Sequence, residues 1–363
     1  MSDSSLITAI GLMSGTSMDG IDAALIHTDG HSRVESGPFL TASYTPEFRQ
    51  RLRFVLGEGK PEDAIQAVEQ ELTDLHIQIV NRLLQDNGIS PASVDVIGFH
   101  GHTIHHAPER RFTRQIGDGD RLAAATGIDV VNDLRIADVK AGGQGAPLVP
   151  VFHQVIAASL EKPLAILNIG GVANNTWLGA GEDILAFDTG PGNALLDDWM
   201  LRHTGQPVDQ DGQTALRGKV HQGLIDRWLE HPYFSKKPPK SLDRNAFPVS
   251  DLEGLSAEDG AATLAAFTVA TIKRGVEHMP QRPRRWLVTG GGRLNQAIMQ
   301  GLRQTLQTPV DPVETVGWNG DALEGQAFAC LAVRSLRGLP LSFPSLTGVP
   351  EPMRGGVLCR GRR

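Results

Sequence analysis

Between two apolar runs near the start of the chain stands Ser14-Gly15-Thr16-Ser17-Met18-Asp19-Gly20. Gly15 and Gly20 let the backbone come close to a ligand. The hydroxyls of Ser14, Thr16 and Ser17, with nearby backbone N–H groups, can donate to phosphate oxygens. Asp19 adds a carboxylate suited to Mg²⁺ held through water. The flanking runs, Leu6 to Met13 and Ile21 to His27, read as the two strands of a β-hairpin, so a tip of ordinary turn residues is the competing reading. More glycine-rich ends follow apolar runs at Gly170-Gly171, at Asp188-Thr189-Gly190-Pro191-Gly192-Asn193 and at Gly290-Gly291-Gly292. Helices entered after Gly192 and Gly292 would offer N-termini that favour anions. Each end alone is unspecific, but together they could converge on one polyanion. Gly15 is followed by Thr16 rather than Lys, so there is no Walker A loop, and no well-placed GxGxxG occurs.

The elements that must position these ends alternate between strand and helix, which gives an α/β class. Pro61 to Gln85 carries apolar residues at helical spacing, from Ile65 and Val68 to Ile79 and Leu83. Val94 to Phe99 reads as a buried strand that ends at His100-Gly101-His102-Thr103, and a strand from Val130 runs into Asn132-Asp133-Leu134-Arg135. Ala141 to Pro150, rich in Gly and Pro, reads as the neighbourhood of a domain boundary. Leu164 to Ile169, Gly170-Gly171 and Ala173 to Trp177 repeat the pattern of strand, glycine turn and strand. Each half therefore opens with a glycine-tipped hairpin, which hints at a duplication. Expected helices cover Ala194 to Arg202, Asp259 to His278, Leu294 to Leu306 and Asp321 to Leu336. Thr204 to Pro248 is polar and Pro-rich, and reads as a mobile insertion.

Composition narrows the classes. The 363 residues are 40% hydrophobic and 21% charged, enough for two domains with sizeable cores. The net charge of −7 argues against a general nucleic-acid binder, which needs a basic face. Cys330 and Cys359 make no disulfide framework. There is no basic leader, and no apolar stretch is of membrane-spanning length, so a soluble cytoplasmic protein with no membrane partner is expected. His100, His102, His105 and His106 lack carboxylate or thiolate company for a metal and read as pocket lining or a solvated loop. Arg110-Arg111 to Arg114 and Lys236 to Lys240 read as solvated loop charges.

The motifs SGTSMDGID, HGHT, NDLRIADVKAGGQGAPLVP, NIGGVANN, FDTGPGN, TGGGRLN and GDALEGQAFA, in this order over almost the whole chain, closely resemble anhydro-N-acetylmuramic acid kinase. The resemblance implies two ribonuclease-H-like domains of the actin-like ATPase kind around a central nucleotide and substrate cleft. The first would span 1–140, with the tail 340–363 packing back on it. The second would span 141–339, with an insertion at about 204–258. It implies ATP and Mg²⁺, and phosphorylation of O6 of 1,6-anhydro-N-acetylmuramic acid as water opens the anhydro ring, in recycling of bacterial cell-wall fragments. Gly15, Thr16, Ser17, Met18, Asp19, Gly20, Ile21 and Asp22 would meet the nucleotide phosphates, with Asp19 near Mg²⁺. Gly170, Gly171, Gly190, Gly192 and Asn193 would join them, and Gly290, Gly291 and Gly292 would pass beside the adenosine. Asp188 corresponds to the catalytic base; capping of the helix that follows is the other reading. Arg135 would take the lactyl carboxylate of the sugar, unless it makes a surface ion pair with Asp138. Ser14, Thr103 and Glu324 would be polar sugar contacts, Glu324 being equally a first-turn dipole residue. His102 stands where the family more often has Gln. A homodimer is the family expectation.

Overall fold

The computed structural model describes residues 5–15, 18–242, 246–247 and 249–361, and the chain divides into two units. Unit 1 comprises Met1–Ser159 and Ala322–Arg363; unit 2 is Leu160–Asp321.

In unit 1 the strands are β1 (Ile7–Met13), β2 (Gly20–Thr28), β3 (Val34–Ser43), β4 (Val96–Phe99), β5 (His102–Ala107), β6 (Phe112–Ile116) and β7 (Asp129–Asn132). Its helices before unit 2 are α1 (Pro46–Phe54), α2 (Glu62–Asp86), α3 (Gly119–Thr126), α4 (Ile136–Lys140) and α5 (Val149–Ile156). Unit 2 holds β8 (Leu164–Ile169), β9 (Val172–Leu178), β10 (Ile184–Pro191), α6 (Ala194–Thr204), α7 (Gln222–Leu229), α8 (Ala257–Gly275), β11 (Arg285–Thr289), α9 (Gln296–Leu306) and β12 (Val310–Pro312). The chain then returns to unit 1 with α10 (Leu323–Leu336), α11 (Pro344–Thr347) and β13 (Val357–Cys359).

The unit 1 sheet has the order β13-β7-β4-β1-β2-β3. β1, β2 and β3 run as an antiparallel meander, β4 and β7 lie parallel to β1, and β13 closes the β7 side antiparallel. α2 buries Ile65, Val68, Leu72, Ile79 and Leu83, the stripe that its spacing predicts. α10 lies directly on the sheet backbone: a Cβ at Gly11 would stand 1.8 Å from Gly325 O, and one at Gly98 would stand 2.0 Å from Phe328 O. Only glycine permits that approach. For this reason 322–339 belongs to unit 1 and not, as expected, to a second domain running to 339. Residues 141–159 also stay with unit 1, so the division falls after Ser159 rather than at the Gly/Pro-rich stretch. That stretch is tied down locally: Gly145 N donates to Asp138 Oδ1 at 2.6 Å, and Gln144 N to Thr347 O at 2.7 Å.

The unit 2 sheet has the order β10-β9-β8-β11-β12, again a meander of β8, β9 and β10 with β11 and β12 parallel to β8. Its core draws on the segment expected to be a mobile insertion. Ala215, Ile225, Trp228, Tyr233, Phe234, Phe247 and Leu252 are buried against α6, α8 and the sheet. Phe234, Phe247 and Phe267 pack with ring centroids 5.3–6.2 Å apart. Aromatic spacing hidden among prolines and lysines fills the unit, so the described residues of 204–258 are part of its body. The helix expected to open right after Gly292 does not. A 3₁₀ turn, Gly291–Leu294, intervenes, and α9 starts after Asn295, whose Oδ1 caps it by accepting from Ile298 N at 3.1 Å.

Candidate active site

In unit 1 the turn between β1 and β2 is braced by a buried chain of side chains. Ser14 Oγ lies 2.6 Å from Tyr44 Oη and 2.8 Å from His102 Nδ1. Burial pushes the His102 imidazole down to about 4, so the ring is neutral at ordinary pH, and it pushes the Tyr44 phenol up. The turn closes through Met18, at φ +55°, whose N–H donates to Gly15 O at 3.0 Å, and through Asp19 O, which accepts from Tyr44 N at 2.9 Å. Asp19 itself is exposed. The structure assigns other work to two residues expected at the phosphates. A Cβ at Gly20 would stand 2.3 Å from Ala42 O, so its missing side chain serves strand pairing, and Ile21 is buried in the core. Asp22 accepts from Thr41 Oγ1 at 2.7 Å. Thr16 and Ser17 lie outside the described residues.

Arg135 is reached through a sharp turn after β7, with Asp133 at φ +53°. Its Nε donates to His100 Nε2 at 3.0 Å and its Nη1 to Gly145 O at 2.8 Å, and the guanidinium carbon lies 5.8 Å from the Phe328 ring centroid. His100 Nδ1 lies 2.9 Å from Gly101 O, which fixes the proton there and leaves Nε2 to accept. Burial, then the neighbouring Arg135 and His102, hold His100 well below the usual imidazole range, and burial lowers Arg135 to about 10. Arg135 therefore carries its charge against a neutral ring and a carbonyl. The carboxylate expected as its surface partner, Asp138, is buried and accepts from Gly145 N and from the hydroxyls of Ser342 and Thr347.

Glu324, in the first turn of α10, feels burial first and then Asp22 and Asp19, which raise its pKa against the opposing pull of Arg135. Unit 1 thus brings Arg135, Asp19 and Asp22 each into electrostatic reach of Glu324. Thr103, also expected at the sugar, is half-buried and takes a hydrogen bond from Gln115 Nε2 at 3.1 Å. His105 and His106 bond to Arg110 and Thr113, and among the described residues no group of His, Cys, Asp and Glu is arranged to cage a metal ion. The expected solvated arginines are partly engaged: Arg110 pairs with Glu58 at 2.6 Å and Arg114 with Glu62 at 2.5 Å.

Unit 2 holds Asp188 at a bulge near the end of the edge strand β10. Its Oδ2 accepts from Leu242 N at 2.8 Å, and among the described residues its other oxygen takes no hydrogen bond. Burial raises the carboxyl to about 6 against that one N–H, so it is mostly ionised at pH 7 yet basic enough to take a proton. It does not cap α6, whose N-cap is Asn193. The glycines sort into two kinds. A Cβ would strike Thr271 from Gly190 at 2.4 Å, Gly170 O from Gly192 at 2.2 Å and Ile169 from Gly292 at 2.3 Å, so these three serve packing. Gly290 adopts φ +73°. Gly170, Gly171 and Gly291 have no heavy atom closer than 3.4 Å to such a Cβ, so the chain itself does not demand glycine there. The N–H groups of Gly192 and Ala194 donate to Gly171 O, and that of Asn193 to Gly170 O. The expected anion site at the start of α6 has therefore given these donors to the turn.

Sequence reasoning missed Tyr44, His100 as the partner of Arg135, Asp138 as a hub, and the segment around Tyr233, Lys240 and Leu242. Lys240, expected to be a solvated loop charge, is half-buried: Nζ lies 4.7 Å from the Tyr233 ring centroid and 3.1 Å from His278 Nε2, and burial brings it down to about 8.

Residues 7–360 match the protein family described as anhydro-N-acetylmuramic acid kinase. A protein of that name from Paramagnetospirillum magneticum is 56% identical over 351 residues, covering 96% of this chain and 98% of the relative. One from Rhodospirillum rubrum is 54% identical over 354 residues, covering 97% and 94%. Among solved structures, a ROK family glucokinase from Streptomyces griseus in complex with glucose and AMPPNP is similar at 13% identity and a TM-score of 0.41, over 89% of this chain and 98% of that one. No helix among the described residues is long and apolar enough to cross a membrane.

Proposed function

The chain belongs to the anhydro-N-acetylmuramic acid kinase family, and on that premise we propose that it transfers the γ-phosphoryl group of ATP to O6 of 1,6-anhydro-N-acetylmuramic acid while water opens the anhydro ring. The observation that carries the reading is Asp188: an acid at about 6, with one oxygen held by Leu242 N–H and the other taking no hydrogen bond among the described residues. In this reading Asp188 takes a proton from water as its oxygen bonds to C1. The C1–O6 bond breaks through an oxocarbenium-like state, as in inverting glycoside cleavage. O6 takes the phosphoryl group, giving N-acetylmuramic acid 6-phosphate and ADP.

Arg135 suits the lactyl carboxylate, because among the described residues its charge has no hydrogen-bonded carboxylate of its own and its fork is aimed by His100 and Gly145. Glu324, with a raised pKa, is suited to hydrogen-bond a sugar hydroxyl. Ser14, held by Tyr44 and His102, is a further sugar contact in this reading. The turn from Gly15 to Asp19, Gly170-Gly171 and Gly290 to Gly292 form the nucleotide contacts we assign. Asp19, exposed at the turn, is the carboxylate we assign to Mg²⁺, which takes one or two carboxylates plus water and phosphate oxygens and would supply charge neutralisation when bound.

Reaction with ATP, Mg²⁺ and the anhydro sugar in ¹⁸O-labelled water, read by mass spectrometry, tests the proposal. The expected product is one phosphorylated sugar carrying one heavy oxygen. A phosphorylated product without the label would remove Asp188 as activator of water, and the absence of any phosphorylated product would sink the kinase assignment.

A further inference from the structure

β10 is an edge strand, hydrogen-bonded to β9 alone, and Asp188 sits where its register slips. At an antiparallel edge a residue's N–H and C=O point to the same side, and on an open edge both are left to solvent. At Asp188 neither is. Its N–H donates to Lys240 O at 3.1 Å, and its C=O accepts from Tyr233 Oη at 2.6 Å. Its side-chain Oδ2 accepts from Leu242 N at 2.8 Å. One ten-residue stretch, 233–242, thus holds this residue at its donor and at both kinds of acceptor. The stretch is itself anchored: Tyr233 and Phe234 are buried in the unit 2 core, and Lys240 Nζ donates to Tyr233 O at 3.3 Å.

We infer that residues 233–242 form a clamp on the free edge of β10 that positions the Asp188 carboxylate, with Tyr233 as its positioning residue and the Leu242 N–H selecting which carboxyl oxygen stays available. The inference rests on the reading of Asp188 as the base. A bulged edge strand without the clamp would let its last residues swing, and a base displaced by about 1 Å can cost on the order of 10²-fold in rate. The Leu242 N–H also restricts the carboxylate to one rotamer, so proton transfer is confined to the oxygen it does not touch.

Tyr233→Phe removes the hydroxyl and keeps the buried ring. The expected result is a fall in kcat of about tenfold or more, with KM for ATP and the thermal midpoint little changed. A purely structural role would move the midpoint and KM instead, leaving kcat near the wild type, and that outcome would overturn the clamp. Amide hydrogen exchange on the unmodified protein gives a second reading that needs no variant. The Leu242 and Asp188 amides should be protected, and exchange of Leu242 at the open-chain rate would equally overturn it. Asp188→Asn separates the two ideas. If it turns over normally, the base assignment falls. If it is inactive while Tyr233→Phe runs at the wild-type kcat, only the clamp falls.

Discussion

The order β7-β4-β1-β2-β3 in unit 1 and the order β12-β11-β8-β9-β10 in unit 2 repeat one plan, strand for strand and direction for direction. The turns that open the two sheets nonetheless differ. After β1 the chain spends residues 14–19 on a turn with an exposed acid and a buried bracing network, whereas after β8 it turns on Gly170-Gly171 alone. Buried charge differs too. Unit 1 sets Arg135, Asp19 and Asp22 around Glu324, with the neutral His100 imidazole beside Arg135. Unit 2 places Asp188 beside an aromatic core that includes four of the chain's five tryptophans, and all five lie in this unit. Arg135 keeps its charge at ordinary pH, being lowered only to about 10, and on the proposed reading that charge suits recognition of a polar ligand. A carboxyl among apolar neighbours rises toward neutrality and suits proton transfer. On the proposed reading the same fold plan thus serves two chemistries, according to what surrounds the charge.

The sharpest way to break this contrast is Asp188→Asn. On the proposed reading turnover falls about 10³-fold or more, which is the usual scale for losing a general base. In the unmodified enzyme kcat should fall as pH drops through about 6, because the base must be unprotonated. Stability should move the other way. The folded carboxyl binds its proton more tightly than the unfolded one, so its contribution declines as pH rises from about 4 to about 6 and stays low above that. A shift of about two units caps the effect near 3 kcal/mol, and partial exposure lowers it to about 1–2 kcal/mol. Asp188→Asn should therefore raise the thermal midpoint at pH 7.5 by a few degrees while abolishing turnover. Tryptophan fluorescence reads this transition directly, since it reports unit 2. A variant that loses both turnover and stability would show that Asp188 serves the fold.

Sequence spacing made most elements legible, because the α2 stripe and the glycine-ended strands follow local rules that tertiary packing did not override. The domain edges were not legible. Nothing in Ala322 to Leu336 itself says that Gly325 and Phe328 meet Gly11 and Gly98, which stand more than three hundred and two hundred positions away. The polar face of 204–258 likewise masked Trp228, the Tyr233-Phe234 pair and Phe247, scattered aromatics that become core only once brought together. At the site, Asp188 and Arg135 could be named from their motifs. Leu242 acts through its backbone N–H, which no side-chain pattern reveals, and the demand for glycine at Gly192 or Gly292 comes from neighbours rather than from a ligand.

Arg135→Lys tests the unit 1 side of the comparison, with an effect expected one step smaller. Lysine keeps the charge but loses the planar fork, so the paired contacts to His100 and Gly145 that aim it are gone. kcat/KM for the anhydro sugar should fall about 10- to 100-fold, mostly through KM, while KM for ATP holds. A sugar analogue without the lactyl carboxylate should show little difference between the two enzymes. Equal losses on both sugars would mean that Arg135 shapes the pocket rather than binding that group.

The smallest expected effect separates the two kinds of glycine. In Gly171→Ala the new methyl meets nothing closer than Ala194 Cβ at 3.5 Å, so the fold accommodates it. The thermal midpoint should stay within a few degrees, and the change should appear as a severalfold rise in KM for ATP, because a methyl intrudes where we place the nucleotide. In Gly192→Ala the methyl stands 2.2 Å from Gly170 O and 3.1 Å from Ala173 N, backbone atoms that cannot step aside. That variant should lose about 1–3 kcal/mol of stability, the usual scale of overpacking, seen as an earlier tryptophan fluorescence transition. The pair is informative because Gly192 N donates to Gly171 O, so the two substitutions act on one turn from opposite sides. If Gly171→Ala leaves ATP binding untouched, the open space at that turn belongs to solvent, and the nucleotide contact proposed for unit 2 moves to Gly291.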